Sequence, residues 1–198
     1  MQRGARDPSS SARRHRGPQP ERPFLTPRTP GRKVVDDSQL SDRFAALEAR
    51  VKHLEDQLAI QRLINSWGPA VDTGNGEAAA ALFADDAILE SDLSYLLGPA
   101  AITAMVYGEG HQALVRDGSA HIPAFPIVEL DGDAARAVAY TRVYRHTGEG
   151  YEVWRVSANY WEFRRDTDGW RVTRRTNHVI DGGPEAKELL ARAVAQQS

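Results

Sequence analysis

The chain has 198 residues, 41% hydrophobic and 26% charged, with no cysteine and a formal net charge of -2. That composition suits one globular domain with appendages, large enough to bury about 68–70% of its unfolded surface, and it excludes disulfide frameworks, Cys-ligated zinc, iron–sulfur clusters and thiol nucleophiles. No apolar run approaches the ~18 residues that a membrane span needs, so a cytoplasmic protein with no membrane partner is expected.

Residues 1 to 33 hold nine Arg and Lys against Asp7 and Glu21, together with six of the 11 prolines, while the rest of the chain carries 16 basic and 25 acidic residues. A segment so basic, so Pro-rich and so poor in aliphatic periodicity buries too little to offset its ordering entropy, and residues 1–36 are expected to form a disordered leader. A nucleic-acid arm would interleave aromatics with its arginines, and only Phe24 does so. A transit peptide would form an amphipathic helix, which the prolines oppose. An inert extension is the preferred reading, with no nucleic-acid partner.

From Ser38 the pattern changes. Leu40, Phe44, Leu47, Val51, Leu54 and Leu58 are separated by 4, 3, 4, 3 and 4 residues, the spacing of a coiled-coil seam or of an amphipathic helix lying on its own domain. Either way residues 37–66 read as one long helix, and Gly68-Pro69 is expected to kink or end it. After the turn at Asp72-Thr73-Gly74-Asn75, Glu77 to Phe83 reads as a short Ala-rich helix, Ala87 to Glu90 as a strand, and residues 91–98 as a loop. Pro99 opens a third helix from Ala100 to Val115. The remainder alternates with turn signals: His121 to Leu130, Ala134 to His146, Tyr151 to Arg165 and Trp170 to Ile180 as strands, then a short helix and tail over residues 183–198. Pro123 and Pro126 make the first of these strands an edge or a bulged one.

Three N-terminal helices followed by an antiparallel meander imply an α+β fold, a strongly curved sheet closed by helices into a cone with one mouth. At that mouth an acid and an imidazole from different elements, Asp72 and His121, are the candidate chemistry. Neutral imidazole, with an unperturbed pKa of ~6.5, is the better base near neutrality. Asp72 then holds one ring nitrogen and stabilises the imidazolium that forms. Trp67, Phe125, Tyr140, Trp154 and Trp161 offer an apolar wall for a small hydrophobic ligand, although such aromatics more often serve the core. HExxH, HxH, GxGxxG, GxxxxGK[ST] and Gly-x-Ser-x-Gly patterns are all missing from the sequence, so neither metal nor nucleotide cofactor is expected.

The order helix, Ala70-Val71-Asp72-Thr73-Gly74-Asn75, Leu82-Phe83-Ala84-Asp85-Asp86-Ala87, Gly98-Pro99-Ala100-Ala101-Ile102, His-bearing strand and paired long strands resembles the SnoaL-like branch of the nuclear transport factor 2-like superfamily over residues 42–182. The resemblance implies a conical α+β barrel, a homodimer or higher homo-oligomer, and a function among cofactor-independent lyases, isomerases, cyclases or non-catalytic assembly subunits such as those of ring-hydroxylating dioxygenases. Within it, scytalone dehydratase and similar lyases carry an Asp and a His where Asp72 and His121 stand. They also carry an Asn in a setting like that of Asn159, which makes Asn159 a substrate donor, and a second pocket His to which His146 is the nearest match. Bile-acid dehydratase and dehydrochlorinase relatives have Tyr or Lys where this chain has Trp67, and scytalone dehydratase has Tyr where it has Val71. The acid those residues supply is therefore missing unless Tyr140, Tyr144 or His146 replaces it. A last-strand arginine of some lyases corresponds to Arg174 or Arg175. A dehydratase acting on a polyketide-, steroid- or terpenoid-like molecule is the leading expectation.

Overall fold

A computed structural model describes residues 36–195. The expectations for the basic leader and for the last three residues lie outside these, Asp36 aside. Helix α1 (Asp37–Asp72) is followed by α2 (Gly76–Ala80), β1 (Phe83–Ser91), β2 (Tyr95–Leu97), α3 (Gly98–Tyr107), α4 (Glu109–Asp117), β3 (Ser119–Pro123), β4 (Ile127–Asp131), β5 (Ala134–His146), β6 (Tyr151–Asp166), β7 (Gly169–Val179) and α5 (Pro184–Ala195). The seven strands form one curved sheet in the order β2-β1-β7-β6-β5-β3, with β4 also on β5, so the cone is left unclosed. All pairings are antiparallel except β1 with β7.

Several local expectations are corrected. Helix α1 continues through Gly68-Pro69 to Asp72 rather than ending there, and Pro69 lies on its exposed side, where water can serve the carbonyl that loses its helical donor. Asn75 caps α2 by accepting from the Ala78 N–H at 2.9 Å, and that helix ends at Ala80, since Phe83 already belongs to β1. The expected loop at 91–98 contains β2, folded back on β1 through the Ser91–Ser94 turn. The third helix is two, α3 and α4, broken at Gly108, whose extended backbone (φ -64°, ψ 146°) ends one and starts the other. The strand expected from His121 to Leu130 is also two: β3 covers residues 141–145 of β5 and β4 covers residues 134–138. Pro123 and Pro126 bracket the break, as prolines without a ladder donor must.

The main core lies inside the cone, where Ile60, Ile64, Trp67 and Val71 of α1 meet Phe83, Leu89, Ile102, Val106, Trp161, Phe163 and Val172. A second cluster lies outside, where Ala186, Leu189 and Ala193 of α5 cover Val138, Ala158 and Tyr160 on the convex side of β5 and β6. The central strands are thus buried on both faces. The N-terminal half of α1 is exposed throughout.

Candidate active site

The curved sheet and the C-terminal half of α1 enclose a cavity of about 300 Å³ lined by Trp67, Val71, Leu89, Met105, His111, Leu114, His121, Thr141, Val143, Trp154, Arg155, Ser157, Arg175 and Asn177 among others. Its size is at the low end of the ~300–1,000 Å³ typical of ligand sites.

Asp72 ends α1 and His121 sits in β3, 49 residues later, yet the two side chains meet: His121 Nδ1 lies 2.6 Å from Asp72 Oδ1. The same carboxylate accepts the His121 backbone N–H on Oδ2 at 2.7 Å and the Ser119 hydroxyl on Oδ1 at 3.2 Å. A carboxylate accepts only, so Nδ1 carries a proton, and the neutral form of the ring has Nε2 as its free nitrogen. The backbone bond fixes the register of β3 against the helix end as firmly as the side-chain bond fixes the ring.

A second imidazole stands beside the first. His111, on α4, places Nε2 2.8 Å from the Val71 carbonyl, and its ring centroid is 6.1 Å from that of His121 with a tilt of 36°. The carbonyl holds the His111 proton on Nε2 and leaves Nδ1 as its second nitrogen. Sequence reading misses this residue, which lies inside the single helix expected from Ala100 to Val115. The available signal is Gly108-Glu109-Gly110, a break that restarts the helix and re-aims His111.

The floor is a polar network around a buried cation. Arg175 donates from Nε and Nη2 to Asn159 Oδ1 at 3.0 and 2.9 Å, and its guanidinium lies 4.5 Å from the Trp67 ring centroid and 4.6 Å from that of Trp161, a cation between two π faces. Burial, with the positive charge of Arg155 nearby, pulls the Arg175 guanidinium down to about 9, which still leaves it charged at neutral pH. Arg155 is engaged elsewhere, by both Asp92 carboxylate oxygens and by Asn177 Oδ1. Burial alone would raise the Asp92 carboxyl, but Arg155 overrides it and holds it below the ordinary range.

The choice between Arg174 and Arg175 is made by one extra residue. Glu162 pairs with Arg174 and Phe163 with Val172, so Thr173 is a bulge. Trp170 and Val172 face inward before it, Arg175 and Asn177 after it, since a one-residue insertion inverts the side-chain parity. Arg174 is turned to the other face, where it binds Glu90 at 3.0 Å.

Other expectations are revised. Trp67 and Val71 line the cavity. Asn159 is fully buried beneath the lining; its amide N–H groups go to Thr141 and Ser157, and its oxygen to Arg175 and Asn177. Both amide N–H groups are thus already engaged by neighbouring side chains. Trp161 lies in the same lower layer, stacked on Phe163. His146 packs on Tyr151 at the far end of β5, away from the lining. Phe125 is 81% exposed and Tyr140 46% exposed, because the β3–β4 break bends the edge outward and Tyr140 alternates to the convex face. Among the described residues, no three His, Asp or Glu side chains gather to hold a metal ion.

The sequence profile of the SnoaL-like domain matches residues 52–176. The chain belongs to the SnoaL-like family. Its solved relatives share the nuclear transport factor 2-like, cystatin-like fold. An NTF2-like protein with a cystatin-like fold from Novosphingobium aromaticivorans is 37% identical, with a TM-score of 0.71 over 79% of this chain and 98% of that one. A candidate aromatic ring hydroxylase from the same organism is 28% identical, with a TM-score of 0.52 over 64% of this chain and 90% of the other. The beta subunit of a candidate aromatic-ring-hydroxylating dioxygenase, also from that organism, is 19% identical, with a TM-score of 0.54 over 65% and 91%; at that identity it shares the fold alone. No curated protein gives a significant match to this SnoaL-like chain. Among its described residues no helix is long and apolar enough to cross a membrane.

Proposed function

We propose that this SnoaL-like protein is a cofactor-independent lyase, a dehydratase in its simplest form, acting on a small hydrophobic molecule that carries a carbonyl and a β-leaving group. The observation that carries the reading is the 2.6 Å contact between Asp72 and His121 Nδ1, which reserves Nε2 of a cavity-lining imidazole for proton abstraction. His121 removes the proton on carbon, and negative charge moves onto the carbonyl oxygen, for which the Arg175 guanidinium is a preorganised electrostatic partner. His111, when protonated, delivers a proton from Nδ1 to the leaving hydroxyl; the C–O bond breaks, water departs and the double bond forms. That role fills the gap left by Trp67 and Val71, neither of which donates a proton. Pocket size favours a compact ring system over a fully extended polycycle. An isomerase or cyclase would use the same base and oxyanion partner without expelling water. A cytoplasmic setting and self-association accompany the reading.

A second reading, a non-catalytic ligand-binding or assembly subunit, is favoured by the likeness to the candidate aromatic ring hydroxylase at 28% identity. One experiment separates the two. The purified protein is incubated with a panel of β-hydroxy ketones and loss of water is followed by mass spectrometry, alongside the Asp72→Asn and His121→Ala variants. Turnover that disappears in both variants supports the lyase. Turnover unaffected by either removes the dyad from the mechanism, and ligand binding without conversion across the panel favours the subunit reading.

A further inference from the structure

The exposed half of α1 is unaccounted for by the cavity. Leu40, Phe44, Leu47, Val51, Leu54 and Leu58 are 38–63% exposed, and their spacing alternates four and three residues, which places Leu40, Leu47 and Leu54 at the d positions of a heptad and Phe44, Val51 and Leu58 at the a positions. The domain is on the opposite side of the helix. Asp56, two positions beyond a d residue, is gripped by Arg165 and by the Trp170 indole N–H, and Ile60 enters the core. Among the described residues, the seam therefore faces away from the surface that α1 touches. In proteins most helical stability comes from packing an amphipathic face, and among the described residues this half of α1 packs none.

We infer that this face is occupied by the same helix of a second copy, forming a parallel, in-register two-stranded coiled coil. The flanking charges decide both partner and direction. The g positions hold Arg43 and Arg50, and the e positions five residues later hold Glu48 and Glu55. In a parallel pair each g residue faces the following e residue of its partner, so Arg43 meets Glu48 and Arg50 meets Glu55, twice over by symmetry. An antiparallel pair would set Arg against Arg and Glu against Glu. Leucine at every d position and Val51 at the central a position are the residues that favour two parallel strands. The seam stops at Gln61 and Asn65, which occupy the next d and a positions, at the point where α1 passes into the domain. The two cavities then sit at the same end of the coil, each complete within its own copy.

The test uses the full chain in sedimentation equilibrium. Leu47→Glu/Leu54→Glu is expected to halve the sedimenting mass while thermal unfolding of the domain is unchanged, because neither residue touches the domain. Direction is read from Phe44→Cys, introduced into a chain that has no cysteine. Under mild oxidation it is expected to cross-link two copies, as facing a positions come within disulfide reach only when the helices are parallel and in register, and Ala49→Cys, on the opposite face, is expected not to. A wild-type monomer, a mass that ignores the seam variant, or a seam-dependent dimer that does not cross-link through position 44 would each overturn the inference.

Discussion

Gly68 and His121 are in direct backbone contact: a Cβ at position 68 would overlap the His121 carbonyl oxygen. The residue that sequence reading treats as a helix breaker is instead the notch that admits β3 against α1. Asp72, one helical turn further on, then reaches both the backbone N–H and the ring of His121.

Gly68→Ala is accordingly expected to cost about 1–3 kcal/mol of stability through overpacking and to separate the dyad. Urea unfolding measures the first. The second is read from the His121 ring-proton signals in NMR, which should lose the hydrogen-bonded Nδ1–H resonance. A variant with wild-type stability and that resonance intact would contradict the packing argument.

His121→Ala removes the proposed base and is expected to lower turnover by ~10²–10⁴-fold. Asp72→Asn keeps the shape but can present an N–H to Nδ1, which reverses the tautomer and puts the proton on Nε2. Its loss should therefore approach that of His121→Ala. His111→Gln leaves the dyad untouched and should lower kcat more than it raises KM, with the largest loss on substrates whose leaving group needs protonation. Equal losses on good and poor leaving groups would remove His111 as the acid.

Arg175 is a cation whose hydrogen bonds go to an amide oxygen rather than to a carboxylate. Its depressed proton affinity means that the charge opposes folding at every pH below about 9, and stability attributable to this group rises only as pH climbs above that value. Arg175→Met, similar in reach and apolar between the two tryptophans, is expected to leave the midpoint of thermal unfolding at neutral pH unchanged or higher while abolishing turnover. A large drop in the midpoint would mean that the cation stabilises the fold and is not held there for a ligand.

Asp56 behaves in the opposite sense. Hydrogen bonds from Arg165, then Trp170, lower its carboxyl from 3.8 to about 2 against the cost of burial. The stability it contributes is complete above the unfolded value near ~4 and is lost as pH falls through about 2. Asp56→Ala is expected to cost roughly 1.5–3 kcal/mol at neutral pH and to flatten the stability profile between those two pH values. Urea unfolding at stepped pH checks both, and an unchanged acid slope would count against the assignment.

Much of the fold is legible from periodicity. The 3.6-residue rhythm up to Val71, the two-residue rhythm after His121 and the turns at Asp131-Gly132 and Asp166-Gly169 mark the succession of elements, and the resemblance places Asp72 and His121 where they meet. What escapes is whatever depends on a single inserted or broken residue. Thr173 resets the parity that decides between Arg174 and Arg175, Gly108 breaks the helix that carries His111, and the bend between Pro123 and Pro126 turns Phe125 out to solvent. Asn159 escapes for another reason: sequence marks it as polar and inward, but only three-dimensional packing reveals that its neighbours consume every hydrogen bond it can make.

Helix α5 presses on the outer side of the two strands whose inner side carries Thr141, Ser157 and Asn159. Helix α5 and the bottom of the pocket thus share one slab of backbone, sealed from solvent on both surfaces. Amide protons within that slab should be the slowest in the molecule to exchange. Trimming α5 would soften the cavity without removing an atom from its walls, so changes in this helix should alter how tightly a ligand is gripped rather than which ligand is chosen.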